Sequence, residues 1–461
     1  MSGRSGLLGL AAAVVVAGGA SGAARARLGG TLSIGLLGLP PPSAAVLADA
    51  PEAASARALL ALPLCRLEPL PVPVLTSAGR RAGTDEVTLT PLPGARFPDG
   101  APLGAADIAR TWLGLATSGG AAYRGLLAPV ASLDSLLEAA VRHPEEPLVL
   151  PLSHPWPDLE ASLCHPALAP TRGLGAASIG LGLYAPGPGG RMGGWTGLPR
   201  GAPFPAALSF TSLLPRTAAR LLGTGEVKAV LGDGSLSDQG PLLFATYLAY
   251  RPGRLPEGAL AVLGALDVAE LVRTFVPAPA VPMPGLLPPS LTEPPLPQRP
   301  ISPGTRPPPG QAALTLGYDA GVAEHRAVAE RLQVKLLDAG YRVRLQGLDR
   351  PGLQRARAEG SLDAALVSVL LPPLPAPALA VVLMLADQPQ VLARELPELG
   401  ALADPGARAA RVRERLVELQ GALPLLPLYA RGLRARLGPA LIDARRDAFG
   451  LLVLDDAWLT E

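Results

Sequence analysis

The chain reads ARFPDGAPLGAADIARTW over residues 95–112. The alternating apolar and polar run Val87-Thr88-Leu89-Thr90 comes before it and predicts a half-buried strand. Pro98-Asp99-Gly100 predicts a tight turn, because proline presets φ, aspartate bonds to nearby backbone and glycine accepts a positive φ. A helix is expected to begin near Ala105. Its predicted buried face consists of Ile108, Trp112 and Leu115.

This order of strand, turn and helix resembles the signature segment of the family 5 extracellular solute-binding proteins, which are the peptide-binding and nickel-binding components of ABC importers. Pro98 stands where that family usually has a polar residue. Because the motif builds a turn and starts a helix, it indicates the family and not the ligand. The matching positions are Arg96, Phe97, Asp99, Gly100, Pro102, Leu103, Ala106, Asp107 and Ile108.

The resemblance continues over most of residues 29–458 and implies an α/β, periplasmic-binding-protein-like fold. Such a fold has two lobes that close about a hinge, and three α/β domains with mixed sheets. A length of 461 residues agrees with two or three domains of roughly 150 residues each. The implied division begins with a signal peptide at residues 1–26. Domain I consists of three pieces, 27–64, 170–258 and 438–461. Domain II covers 65–169, with the signature 95–112, and domain III covers 259–437.

The clearest alternation of strands and helices outside the signature lies in domain III. The pattern there predicts a strand at 313–318, a helix at 324–339, a strand at 341–345, a helix at 353–359 and a buried strand that leads to 369. Elsewhere the sequence predicts strands at 29–36, 146–152, 208–210, 225–230 and 423–429, helices at 55–62, 216–222, 266–272 and 405–420, and a return of 449–458 to domain I. The proline-rich stretch 277–309 is either a disordered linker or an ordered surface loop, and we expect 294–309 to be mobile.

Composition and the N-terminus indicate an exported protein. Apolar residues make up 49% of the chain, enough for large cores, and a net charge of +2 gives no reason to expect nucleic acid as a partner. Arg4 precedes the apolar run 7–20, and small residues continue to Ala26, which predicts a secretory signal peptide. The run is shorter than the roughly 20 residues of a membrane span, although an uncleaved anchor is the alternative. We therefore expect a periplasmic or secreted protein, without the cysteine that a lipoprotein anchor needs.

Export places Cys65 and Cys164 in an oxidising compartment, where they either pair or remain two buried thiols. His143, His154 and His165 each precede a proline, and together with Cys164 they are potential metal ligands. Their spacing matches no ligand motif, and histidines before prolines are equally typical of extended turns. We expect no metal and no cofactor.

The resemblance also implies where a ligand binds. Peptide-binding relatives hold the ligand's ammonium with an aspartate just after the buried strand of domain III. Alignment puts Pro372 in the place of that aspartate, so ordinary binding of a free amine is not expected. The main chain of Val367, Ser368 and Val369 remains able to pair with an extended ligand. The other candidates are Arg110, for a ligand carboxylate or as a solvated helix residue, and Tyr184 and Trp195 as weaker contacts.

These features predict a binding protein and not an enzyme, because nucleophile-elbow, zinc-protease and phosphate-loop patterns are missing from the sequence. The expected function is that of a monomeric substrate-binding protein of an ABC importer. It would bind a peptide-like or other small solute between its lobes by hinge closure and deliver it to a permease in the inner membrane. The alternative is a degenerate relative that keeps the fold and acts as a binding or interaction module, which the missing acidic motif and a shortened domain III favour.

Overall fold

The structure is a computed structural model. It describes residues 29–39, 42, 50–80, 85–116, 119–173, 178–187, 192–233, 240–292 and 313–460. The predicted signal peptide and the stretch 294–309 lie outside the described residues. Within the described part of the chain, no helix is both long and apolar enough to cross a membrane.

The strands of the described residues are numbered in chain order. They are β1 (Thr31–Leu37), β2 (Cys65–Glu68), β3 (Leu70–Pro73), β4 (Thr76–Arg80), β5 (Glu86–Pro91), β6 (Leu148–Pro151), β7 (Thr171–Arg172), β8 (Ile179–Gly180), β9 (Tyr184–Pro186), β10 (Met192–Gly194), β11 (Ala207–Leu213), β12 (Ala229–Leu231), β13 (Phe244–Tyr250), β14 (Ala280–Pro282), β15 (Leu314–Asp319), β16 (Val343–Leu348), β17 (Ala364–Leu370), β18 (Leu425–Arg431), β19 (Ala435–Leu437), β20 (Leu441–Ile442), β21 (Arg445–Arg446), β22 (Leu452–Val453) and β23 (Trp458–Leu459).

The α-helices are numbered in the same way, and short 3-10 helices lie between some of them, including one at Ala121–Leu127. The α-helices are α1 (Pro51–Ala58), α2 (Ala105–Leu113), α3 (Leu133–Arg142), α4 (Leu159–Leu163), α5 (Pro215–Gly223), α6 (Glu257–Gly264), α7 (Val268–Phe275), α8 (Ala323–Asp338), α9 (Arg350–Glu359), α10 (Pro375–Leu385), α11 (Pro389–Gly400) and α12 (Pro405–Leu419).

The signature segment folds as predicted. β5 leads to the turn at Asp99 and Gly100, where Gly100 has φ 87° and the Ala101 N–H donates to Asp99 Oδ1 at 2.9 Å. Helix α2 follows, and the Asp107 carboxylate accepts from the Gly104 N–H at 3.0 Å, which satisfies one of the donors at the helix start. The predicted buried face, Ile108, Trp112 and Leu115, is buried.

The first large sheet has the strand order β19-β12-β1-β11-β10-β9. β1 pairs in parallel with both β11 and β12, and α5 connects these two neighbours, which confirms the predicted parallel α/β layer. Leu32, Ile34 and Leu36 alternate along β1 and are buried. The C-terminal segment packs on α1, where the Leu452 N–H donates to Ser55 Oγ at 3.0 Å.

The second large sheet has the order β14-β18-β13-β17-β15-β16 and is mixed. β15 pairs in parallel with β16 and β17, whereas β13 pairs antiparallel with β17 and β18. Helices α8 and α9 connect the parallel strands, as the alternating pattern of this region predicts. A third, antiparallel sheet, β4-β5-β6, lies within the range that the resemblance implies for domain II.

Two strands differ from the implied domain division. β13 falls inside the range implied for domain I, yet it pairs with strands of domain III along its whole length. β19 falls inside the range implied for domain III, yet it pairs with β12 of domain I. The chain therefore crosses between the two sheets before β13 and before β19.

Several element predictions were displaced or incomplete. The helix expected at 55–62 is α1 (Pro51–Ala58), because Pro51 presets the first helical φ. The strand expected at 225–230 is only β12, since Gly225 has φ 73° and forms a turn first. Helix α10 was not predicted at all. Its prolines, Pro375 and Pro377, lie in the first turn, where no N–H is needed for a helical hydrogen bond.

Candidate functional site

Strand β17 is central to the site that the resemblance implies. All seven of its residues are buried. It pairs with β13 along its whole length, but its registered pairs with β15 run only from Ala364 to Leu366. The backbone of β17 from Val367 onward therefore extends past β15, toward domain II.

Two side chains of domain II reach the last residue of this strand. The Leu370 N–H donates to Tyr123 Oη at 3.0 Å, and the His165 ring nitrogen Nε2 lies 3.1 Å from the Leu370 carbonyl. His165 Nδ1 accepts from the Ala167 N–H at 3.1 Å, so Nε2 carries the proton and donates to Leu370. Both backbone groups of Leu370 are thus held by domain II and do not face an open groove.

Burial favours the neutral form of both side chains. Desolvation lowers the pKa of His165 to about 3, which disfavours the imidazolium form. Desolvation also raises the pKa of Tyr123 to about 12. The two rings pack with their centroids 4.8 Å apart.

A small cavity of about 40 Å³ lies beside Val367, Ser368 and Val369. A larger cavity of about 320 Å³ lies at the start of the same strand, and the two share four lining residues, Ala122, Gln354, Arg357 and Leu385. The larger volume is at the lower end of the range for ligand pockets, roughly 300–1,000 Å³. Residues from both domain II and domain III line these cavities, which lie between the two.

Three polar side chains of α9 line the small cavity. Arg350 Nε donates to the Gly119 carbonyl at 2.8 Å, and its guanidinium lies 5.7 Å from the centre of the Tyr123 ring. Arg357 Nη2 donates to the Leu385 carbonyl at 3.0 Å. Gln354 Oε1 is buried and has no hydrogen-bond partner among the described residues. Burial lowers the pKa of Arg350 to about 9 and also lowers the pKa of Arg357.

Three of the predicted site residues lie together at the small cavity, and three lie elsewhere. Val367, Ser368 and Val369 line it. Arg110 is exposed, and its Nη1 atom lies 3.8 Å from Asp107 Oδ1. Trp195 Nε1 donates to the Arg96 carbonyl at 2.7 Å. The remaining one, Tyr184, is buried in domain I, where its N–H donates to the Leu59 carbonyl at 3.1 Å. The ligand-binding roles of all six residues remain predictions.

Sequence reasoning missed Arg350, Gln354 and Arg357. They recur at i, i+4 and i+7 on α9, which places them on one helix face just before the buried strand β17. The same spacing is typical of a solvated helix face. The sequence pattern alone therefore does not distinguish a site from a solvated face. Only the packing of domain II against α9 does so.

The potential metal ligands do not come together. Cys164 is bonded to Cys65 in a disulfide, which settles the alternative that the sequence left open. His143 is exposed beside Glu146, and His165 contacts Leu370. Among the described residues, no group of three or more histidine, cysteine or carboxylate side chains is arranged to hold a metal ion.

Comparison with known proteins gives similarity in structure and not in sequence. No protein-family model and no curated protein sequence matches the chain. The murein tripeptide-binding protein MppA of Escherichia coli superposes with a TM-score of 0.70 at 17% identity, over 94% of this chain and 98% of that chain. The ABC transporter-associated periplasmic binding protein DppA of Helicobacter pylori, in complex with the peptide STSA, gives a TM-score of 0.69 at 14% identity, over 94% and 99%.

NikA of Staphylococcus aureus, in complex with Ni(L-His)2, gives a TM-score of 0.67 at 13% identity, over 94% of this chain and 100% of that chain. These similarities extend over nearly the whole length of both proteins, and the proteins concerned are binding proteins. The resemblance read from the signature segment is therefore confirmed at the level of the fold: the chain has the periplasmic-binding-protein-like α/β fold of the family 5 peptide- and nickel-binding proteins.

Proposed function

We propose that the chain is the substrate-binding protein of an ABC importer and that it holds a peptide-like or other small solute between domain II and domain III. The observation that carries this proposal is the pair of cavities along β17, which are lined from both domains. A solute there contacts both lobes at once, so binding favours the closed arrangement and the complex forms without making or breaking a bond.

Export is part of the proposal. The N-terminal segment is proposed to act as a signal peptide. The mature chain is proposed to be a monomer that binds a permease at the inner membrane. The disulfide between Cys65 and Cys164 supports an oxidising compartment. Mass spectrometry of the exported protein tests this step, since cleavage between Ala20 and Ala26 is the expected result and an intact N-terminus contradicts it.

A specific observation supports the alternative of a non-transport binding module. Tyr123 and His165 occupy the backbone groups of Leu370, which an added ligand strand would otherwise use. Helix α10 also packs closely on the 3-10 helix Ala121–Leu127, since an added Cβ at Gly125 would lie 2.4 Å from the Ala380 carbonyl oxygen. Adjacent permease and ATPase genes would support transport, whereas their absence would favour the module.

The binding experiment is a thermal-shift screen of the mature protein against dipeptides, tripeptides, acidic metabolites, sugars and nickel. A ligand at about 100 times its dissociation constant stabilises the folded state by about 2.7 kcal/mol. Ala358 is exposed and lines the larger cavity, so Ala358→Trp is expected to abolish the shift by filling the entrance. Arg355→Trp is the matched control, because Arg355 is exposed on the same helix but does not line either cavity.

Two results would contradict the proposal. One is a screen in which no solute raises the melting temperature. The other is a shift that survives Ala358→Trp unchanged, because the solute would then bind outside the cavities along β17.

A further inference from the structure

We infer that the small cavity beside β17 binds the anionic end of the solute, and that this end carries a carboxylate next to an N–H donor. The C-terminal residue of a peptide and an N-acylated amino acid both have this chemistry. The inference rests on the proposed function, because it names the class of solute for the same site.

The first argument for the inference is the charge of the residues that line the small cavity. Among the described residues, its lining contains two arginines, Arg350 and Arg357, and no aspartate or glutamate. An ammonium placed there would meet like charge in a poorly solvated space, which is unfavourable. Pro372 follows β17 and supplies no carboxylate either. The cavity is therefore suited to an anion and not to a free amine.

The second argument concerns the environment of the Arg357 guanidinium. Its contact in the structure is a neutral one, the Leu385 carbonyl at 3.0 Å. No carboxylate of the described residues lies within 4.0 Å of its guanidinium, although Asp387 acts on it from farther away. Burial of a cation beside a carbonyl alone leaves much of its lost hydration uncompensated. A ligand carboxylate in the cavity would supply the missing counter-charge and a charge-assisted hydrogen bond.

Arg350 places this anion between the lobes. Its Nε atom donates to the Gly119 carbonyl of domain II at 2.8 Å, while its own helix belongs to domain III. An anion that contacts this guanidinium is therefore bound at a point where both lobes already meet. Such a contact couples binding to closure, because the separated lobes offer only part of it.

Gln354 supplies the N–H specificity. It lies between the two arginines on the same helix face, and its buried Oε1 atom has no partner among the described residues. A buried amide oxygen without a donor is costly, so a ligand N–H that reaches it is favoured. In a peptide, the nitrogen of the last residue lies two covalent bonds from the carboxylate carbon. One residue can therefore satisfy both Gln354 and the arginines.

The experiment uses randomised dipeptide and tripeptide pools in three forms: unmodified, N-acetylated and C-amidated. Affinity capture on the immobilised mature protein, followed by mass spectrometry, measures the retained fraction of each pool. We expect the unmodified and N-acetylated pools to be retained and the C-amidated pools to bind about tenfold more weakly or worse, the cost of losing a charge-assisted hydrogen bond. Equal retention of amidated and unmodified pools would overturn the inference while leaving the proposed function in place.

Variants test the residue assignment. Arg357→Gln removes the charge and is expected to reduce retention of the free acids about tenfold, with little change for the amides. Arg355→Gln, an exposed position on the same helix, is expected to change neither. An equal loss for acids and amides in Arg357→Gln would contradict the assignment. Should Arg357→Gln fail to fold, the comparison of acids with amides on the unaltered protein still decides the inference. Failure of every pool to bind, together with a negative solute screen, would contradict the proposed function itself.

Discussion

His165 shows how one buried side chain links domain II to the strand of the candidate site. It accepts from Ala167 through Nδ1 and donates to Leu370 through Nε2, and the Phe449 ring lies edge-on with its centroid 5.2 Å from the imidazole. This arrangement needs the neutral tautomer with the proton on Nε2. The folded protein therefore resists protonation at a group that the unfolded chain protonates readily.

The pH dependence of stability follows from this difference. The pKa of His165 is about 3 in the folded state, against about 6.5 in an unfolded chain. Between these values the unfolded state binds a proton that the folded state does not, so acidification below about pH 6.5 destabilises the fold by up to about 1.4 kcal/mol per pH unit. Burial raises the pKa of Asp447 to about 6, and this carboxyl opposes the trend because the folded state keeps its proton longer.

Asp447 is present in both the unaltered protein and the variant His165→Gln, so its contribution to the pH dependence cancels when their stabilities are compared. We expect the stability advantage of the unaltered protein over this variant to shrink by about 2 kcal/mol between pH 6.5 and pH 5. Urea unfolding at each pH measures the difference. A constant difference across this range would show that His165 titrates normally in the folded protein.

The disulfide gives a second prediction at the residue scale. Cys65 and Cys164 enclose a loop with a sequence separation of 99 residues, which contains the signature segment. Cross-linking a loop of about this length removes conformational entropy from the unfolded chain, and loss of a native disulfide typically costs about 2–5 kcal/mol. Urea unfolding of the Cys65→Ser/Cys164→Ser double variant is expected to show a loss of this size, and an unchanged unfolding midpoint would contradict it.

Helix α10 is the element that most directly joins the two lobes. Nine of its residues are buried, and it packs on the 3-10 helix Ala121–Leu127 of domain II. Gly125 permits this contact, because a Cβ atom there would lie 2.4 Å from the Ala380 carbonyl oxygen and 3.0 Å from the Val381 nitrogen. The approach is between backbones, so a rotamer change cannot relieve the clash.

Gly125→Ala is therefore expected to destabilise the protein by about 1–3 kcal/mol, the usual cost of overpacking a core. Gly223→Ala is the matched control, since Gly223 ends α5 and has no atom near the added Cβ. Denaturant melts of the two variants measure the effect. Equal stability of the two would mean that α10 and Ala121–Leu127 do not pack this closely.

At the same scale, the elements that could be predicted are those with a clean local pattern. Strand β15, helix α8 and helix α9 each begin within a few residues of the expected position, because periodicity and turn residues act locally. Helix α10 was missed because its prolines resemble an extended segment unless the helix start is known. The pairing of Cys65 with Cys164, and the meeting of Arg357 with Val367, arise only in three dimensions.

At the scale of the whole molecule, an ion cluster joins domain I to domain III. Arg431 lies at the end of β18. Its Nη2 atom is 3.0 Å from Glu52 Oε2 of α1, and its Nε atom is 2.7 Å from Glu324 Oε1 of α8. All three side chains are almost completely buried, and the neighbouring carboxylates raise the pKa of Arg431. The chain crosses between the two large sheets just after this residue, so the cluster lies at this crossing.

Removal of the shared cation takes the ion-pair partner from the buried Glu324 and leaves the buried Glu52 with Arg434 alone, at 3.3 Å between Arg434 Nε and Glu52 Oε1. We expect Arg431→Met to cost about 3–5 kcal/mol, as is typical when one partner of a buried ion pair is lost. Arg436→Met is the control, because Arg436 is half-exposed and pairs with Asp233 at 3.5 Å. Thermal unfolding compares the two, and similar small losses would mean that the cluster does not stabilise the contact between the two sheets.

The central claim is that a solute binds along β17 between the lobes. Hydrogen–deuterium exchange measures this most directly, with the solute that gives the largest thermal shift added to the mature protein. The account predicts slower exchange in residues 119–127 of domain II and in residues 350–370 of domain III at the same time, because one ligand covers both. Protection confined to a single domain or located away from these segments would contradict the account, and so would a complete screen that yields no stabilising solute.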